Sequence, residues 1–166
     1  LLTDEIAFGG INGLSIFLPE KILANTQEAA IALTEVLINN KQVPIGPESP
    51  LSKSISNVEK IVLNHDQTLL SFKFAALNYI NPEKNQYAYQ LVGLLNADEW
   101  QEIGNRRLVN FTNLQPGSYT FNVKASNDNG VWSSSIRSIE LEILPPWWKT
   151  WWAYTIYCIL VGSLIL

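Results

Sequence analysis

From Trp151 to Leu166 the chain runs WWAYTIYCILVGSLIL, sixteen positions without a charged residue. A run of that kind reads as membrane. At about 1.5 Å rise per residue it spans roughly 24 Å, against a hydrocarbon core of about 30 Å, so it stops short of a full crossing. Segment 146–166 is therefore expected to be the start of a truncated transmembrane helix. Trp147, Trp148, Trp151, Trp152, Tyr154 and Tyr157 crowd its beginning, where amphipathic rings favour the headgroup level, and Lys149 is free to snorkel toward water. The alternative, a buried C-terminal helix, sits badly with four Trp in six residues. A secretory signal is excluded by position.

Composition narrows the function. The 166 residues are 47% hydrophobic, enough for one real core, and only 16% charged. A net charge of -4 offers no long-range attraction for phosphate backbones, so nucleic acid is excluded as a partner. One Cys forbids an internal disulfide, and one His removes most metal clusters and triads; no metal, cofactor or catalytic constellation is expected. Glu99, Glu102, Asp98 and Asp128 read as solvated loop charges, not as paired catalytic carboxylates. A calcium loop built on Asp98 and Asp128 lacks the ligand spacing, and a plain turn explains these residues. There is no Met, and the chain begins at Leu1, which reads as a piece of something longer.

Between Ile55 and Leu144 short strands alternate with turn signals at the spacing of a β-sandwich. Seven are expected: Asn57–Leu63, Leu69–Ala76, Tyr87–Gly93, Trp100–Ile103, Arg107–Thr112, Tyr119–Ser126 and Ile136–Leu144. In the second, Leu70, Phe72 and Phe74 alternate with Ser71 and Lys73, as a half-buried strand demands. Leu114-Gln-Pro116-Gly117 suits a tight corner, and Asn127–Gly130 ends in the Asn-Gly of a hairpin. Leu114, Pro116, Gly117 and Tyr119 together predict a tyrosine corner, with the hydroxyl bonded back to upstream backbone. Asn110-Phe111-Thr112 matches a glycosylation sequon but falls in a predicted strand and is given no role. Cys158 reads as a small apolar residue of the helix, and His65 as a solvated turn residue.

The first fifty residues differ in texture. Ile6–Phe17 reads as a hairpin with an Asn12-Gly13 turn, too small to stand alone. Ile31–Ile38 reads as a strand within a connector that ends in the Pro- and Gly-rich stretch Pro44–Pro50. The expected organisation is 1–22 as the close of a preceding all-β domain, 23–54 as connector, 55–145 as sandwich, and 146–166 as helix.

Several spacings coincide: Tyr87-Ala-Tyr89-Gln-Leu-Val-Gly93, Trp100, Asn113-Leu114-Gln-Pro116-Gly117-Ser-Tyr119, Ala125, Asn127, Gly130, Trp132, and Pro145-Pro146-Trp147-Trp148-Lys-Thr150. Over Ile31–Thr150 they resemble the Y_Y_Y immunoglobulin-like domain of bacterial two-component regulators. Phe8-Gly-Gly-Ile-Asn-Gly-Leu14 through Pro19 resembles the last blade of the two-component-regulator propeller that precedes that domain. The resemblance implies an all-β, immunoglobulin-like sandwich in the periplasm, anchored in the bacterial inner membrane, with an upstream propeller and a histidine-kinase parent. It also implies a homodimer and a saccharide ligand bound mainly outside this segment. Where the family commonly has Tyr before the corner, this chain has Phe111, which keeps the ring and loses the hydroxyl.

From the residues themselves, Pro145-Pro146 makes a stiff joint between sandwich and helix, and a stiff joint transmits displacement. The expected function is thus a membrane-proximal sensor module that relays rearrangement of the propeller through the Pro-Pro-Trp-Trp joint. The competing reading is a membrane-tethered carbohydrate-binding or adhesion sandwich. Tyr87, Tyr89, Trp100 and Trp132 serve that reading poorly, because they are as readily core or corner residues.

Overall fold

Aromatic and branched residues at alternate positions, cut by Pro, Gly and Asn, drive this chain into strands. The computed structural model describes residues 5–11, 13–19, 27–47, 49–67, 69–79, 81–94 and 99–165, and the side chains of all but 164 and 165. β1 (Ile6–Gly10) and β2 (Gly13–Phe17) form an antiparallel hairpin with Gly10 opposite Gly13. Ile6, Phe8, Leu14 and Ile16 on it are all exposed, as expected of a hairpin too small to bury itself. Of the predicted Asn12-Gly13 turn, Asn12 lies outside the described residues, as do 1–4 and 20–26.

The sandwich follows, built from β3 (Ile31–Ile38), β4 (Lys41–Gln42), β5 (Lys60–Leu63), β6 (Leu69–Ala76), β7 (Tyr87–Val92), β8 (Gln101–Gly104), β9 (Leu108–Thr112), β10 (Gly117–Ala125) and β11 (Arg137–Ile143). One sheet has the order β5-β11-β10-β7-β8 and the other β4-β3-β6-β9. All pairings are antiparallel except β5 on β11, where Ile61 faces Leu141 and Leu63 faces Ile143 in parallel.

Two expectations change. Ile31–Ile38 is no connector strand: β3 pairs along nearly its whole length with β6, from Ile31 opposite Ala76 to Ile38 opposite Leu70, and it buries Leu33 and Val36 in the core. The sandwich thus draws on residues well before 55. β4 doubles back from β3 through Asn39 and Asn40, both at positive φ (49° and 62°), the left-handed pair that a two-residue hairpin needs. The strand expected at Asn57 starts only at Lys60, because Ile55–Asn57 closes as a 3-10 turn.

Inward-facing positions match the period of two. Along β10, Tyr119, Phe121, Val123 and Ala125 are buried; opposite them on β6 are Leu70, Phe72, Phe74 and Ala76. Phe72 and Phe121 join the sheets with parallel rings, centroids 4.5 Å apart and planes 8° apart. Phe111 packs edge-on against both Phe121 and Tyr89, so its ring fills core without needing a hydroxyl. After β11 the chain makes a 3-10 turn at Trp147–Lys149 and then helix α1 (Trp151–Ile165). Among the described residues no helix is long and apolar enough to cross a membrane.

Candidate functional site

The candidate site is the joint at the C-terminal end of β11. Leu144 still belongs to the sheet, its N–H donating to the Leu63 carbonyl at 2.9 Å. Pro145 is exposed, but Pro146 is buried and extended, at φ -64° and ψ 146°. A proline cannot donate to a helix, and its ring fixes φ, so the chain leaves the sheet in one direction. Thr150 is again extended (ψ 155°) and opens α1, its carbonyl accepting from the N–H groups of Ala153 and Tyr154.

The aromatic residues of the joint touch one another. Trp147 stacks on Trp152 at 6.2 Å and meets Trp148 edge-on at 5.6 Å; Trp148 in turn meets His65 edge-on at 5.0 Å. His65, read from sequence as merely solvated, lies in the turn between β5 and β6 and therefore ties that turn to the joint. Trp151 is the most exposed of these rings, at 79%, while Ala153, two residues on, is buried. Outward-facing Trp on the first turn of a helix is costly in water and suits a lipid headgroup layer.

The other candidate residues are structural. Tyr87 is buried, and its hydroxyl accepts from the Ala76 N–H at 3.2 Å, joining the two sheets. Tyr89 leans on Phe111 and Phe121 and donates to the Gln101 side chain. At Gly93, φ is +99° and an added Cβ would lie 2.7 Å from the Ser118 carbonyl oxygen, so two independent constraints demand glycine. The Tyr119 hydroxyl donates to the Gln115 carbonyl at 2.9 Å, with Leu114 packed on the core, Pro116 exposed and Gly117 opening β10. This is a tyrosine corner, pinning the crossing from β9 in one sheet to β10 in the other.

Trp100 and Trp132 are not a free platform. The Lys124 ammonium lies 4.3 Å from the centre of the Trp100 ring and 5.2 Å from that of Trp132, so one face of each ring is engaged by a cation from within the chain. Asp128 accepts from Asn81 at 2.9 Å, and among the described residues no cluster of His, Cys, Asp or Glu could hold a metal ion. Asp98 lies outside them.

Sequence reasoning missed Asn127 as an anchor. Fully buried, it accepts from the N–H groups of Asn129 and Val131 and donates to the Gln27 carbonyl, a partner one hundred residues away. Beside it the Glu28 carboxylate accepts from the Ser134 N–H and hydroxyl at 2.8 and 2.7 Å, which holds its pKa below the usual range. The two contacts fasten the N-terminal approach to the end of the sandwich opposite the joint. The Asn-Asp-Asn-Gly turn was the only signal in the sequence.

Fold and joint define a class: an immunoglobulin-like sandwich continued, almost without linker, by an apolar helix collared with Trp. Comparison with known proteins gives that class a context. Residues 78–144, which hold β7 through β11, match the Y_Y_Y domain. The chain is 34% identical over 164 residues to histidine kinase P4 of Formosa agariphila, covering 98% of this chain and 12% of the kinase. It is similar to the extracellular domain of a B. thetaiotaomicron protein described as a one-component system, with TM-score 0.64 and 29% identity over 87% of this chain and 19% of that one. A second extracellular domain from the same organism, described as part of a hybrid two-component system, gives TM-score 0.62 and 31% identity over 85% of this chain and 19% of that one. The chain thus spans between about an eighth and a fifth of these relatives.

Proposed function

We propose that this chain is the membrane-proximal periplasmic module of a two-component sensor, passing displacement from an upstream propeller to a helix in the inner membrane and on to a cytoplasmic output. The module works as a homodimer, and a saccharide is bound mainly upstream. One observation carries the reading: no slack separates sheet from helix. Leu144 is hydrogen-bonded in the sheet, Pro146 is buried, and α1 begins at Trp151. A tether needs no such stiffness, whereas a relay loses its signal through a flexible linker. The likeness to extracellular domains of two-component systems and to a histidine kinase supports the same reading.

The test exchanges this chain for its 34% identical counterpart in histidine kinase P4 and follows autophosphorylation in membrane vesicles. Inserting one to four Ala between Thr150 and Trp151 turns the helix by about 100° per residue, so a relay gives output that oscillates with a period near 3.6 residues. Replacing Pro145-Pro146 by Gly-Ser flattens that oscillation. Kinase output indifferent to both changes would make the segment a tether.

A further inference from the structure

Four turns lie at the end of the sandwich from which α1 departs. They are Asn39–Asn40 between β3 and β4, 64–67 between β5 and β6, the tyrosine corner, and the joint. Asn39 and Leu69 exchange hydrogen bonds there, which binds the first two together. Beside them opens a mostly apolar groove of about 570 Å³, whose lining includes Ile38, Val43, prolines 44, 47 and 50, Gln67 and one charged side chain, Lys41. The loop that forms it also carries Ile45, 62% exposed. Gln67 lines the groove, and His65, two residues earlier, touches Trp148. Groove and tryptophan cluster therefore flank a single turn, and what lies at the level of the Trp rings lies near the level of the groove.

We infer that this end of the sandwich is itself a membrane-contact surface: Ile45 and the proline-lined groove settle into the headgroup–acyl boundary beside the tryptophans. The inference rests on the proposed entry of α1 into the bilayer and adds a second point of contact to it. Trp rings favour that layer, and interfacial helices bury their apolar faces in it to a depth of about 5–10 Å, the scale expected of an apolar loop there. The chain carries a net charge of -4, which gives no general attraction to an anionic lipid surface. The partner is thus a largely zwitterionic phospholipid surface, held by apolar insertion and not by charge. Two contacts, helix and groove, fix the tilt of a rigid body where one would leave it free to swing.

The single cysteine makes the test clean. The whole chain is reconstituted in vesicles of three parts phosphatidylethanolamine to one part phosphatidylglycerol and labelled with an environment-sensitive dye at one site at a time. The sites are native Cys158 on α1, Gly46→Cys and Tyr79→Cys, the last two in a Cys158→Ser background. A Cβ at Gly46 meets nothing within 4 Å, so that variant does not disturb the loop, and Tyr79 is 82% exposed at the opposite end. Nitroxide lipids are expected to quench the labels at 158 and 46, and to quench that at 79 several-fold less. Adding Ile45→Glu to the Gly46→Cys chain lowers quenching at 46 several-fold. Quenching at 158 without quenching at 46 overturns the contact surface and leaves the proposed function standing. No quenching at 158 overturns both. Equal quenching at 79 means unspecific adhesion, and a signal at 46 that vanishes on dilution in lipid assigns the groove to a second copy; either overturns the inference.

Discussion

Replacing Phe121 with Ala removes a ring with 0% exposure from among three others: Phe72 stacked at 4.5 Å, Phe111 edge-on at 5.6 Å and Tyr89 tilted at 6.2 Å. Buried Phe→Ala changes cost about 3–5 kcal/mol, more where the cavity cannot collapse. Here the surrounding rings hang from different sheets, and closing the void would draw both sheets together, so the expected loss is near the top of that range. Set against a total stability of roughly 5–15 kcal/mol for a domain, the variant folds but only just. Urea unfolding followed by circular dichroism, in detergent to keep α1 soluble, is the assay. With a slope of about 2 kcal/mol per molar, the midpoint should fall by roughly 2 M. Phe121→Leu, which keeps most of the volume, should cost clearly less, on the order of 1.5 kcal/mol. A double-mutant cycle with Phe72→Leu should return about 0.5–1.5 kcal/mol of coupling beyond burial. A loss below about 1 kcal/mol for Phe121→Ala, or additive Leu substitutions, would refute the claim that this ring pair joins the sheets.

Gly93→Ala should destabilise by at least about 1–2 kcal/mol from its positive φ alone, with the 2.7 Å approach to Ser118 added, while Gly9→Ala, which meets nothing, changes little; equal melting temperatures for the two would sink the argument. Glu28 titrates below its ordinary range because Ser134 donates to its carboxylate, so its contribution is present above the ordinary carboxylate pKa and fades as pH falls through the lowered one. Thermal melts of the wild type and Glu28→Gln should therefore converge on acidification, and curves that stay parallel from neutral pH downward would show that the contact contributes nothing.

Much of the sandwich was legible because its strands announce themselves locally. β6 spans Leu69–Ala76 as its alternation predicts, and β7, β9, β10 and β11 fall within about two residues of their predicted bounds. The tyrosine corner was legible because Pro, Gly and Tyr each restrict the backbone at fixed offsets. What the sequence withheld depends on partners distant in the chain. β3 shows its strand character but not its partner, since pairing Ile31 with Ala76 is a property of the fold. Asn127 looks like any turn residue until Gln27 arrives beneath it. Trp100, Lys124 and Trp132 are separately ordinary, and only β10 lying beside β7 and β11 brings them together. The joint divides the same way: Pro145-Pro146 signals stiffness, but that one ring is buried and the other exposed, and that His65 touches Trp148, are facts of packing.

Immunoglobulin domains of antibodies cross-link their sheets through a disulfide whose second cysteine lies two residues beyond the corner tyrosine. Here that position, two residues after Tyr119, is Phe121, and the bond is replaced by its stack on Phe72. The chain's one cysteine sits in α1, remote from the core. Joining the two sheets of this sandwich therefore calls for no oxidant and no disulfide isomerase. The contact that joins the two sheets is thus indifferent to the redox state around it.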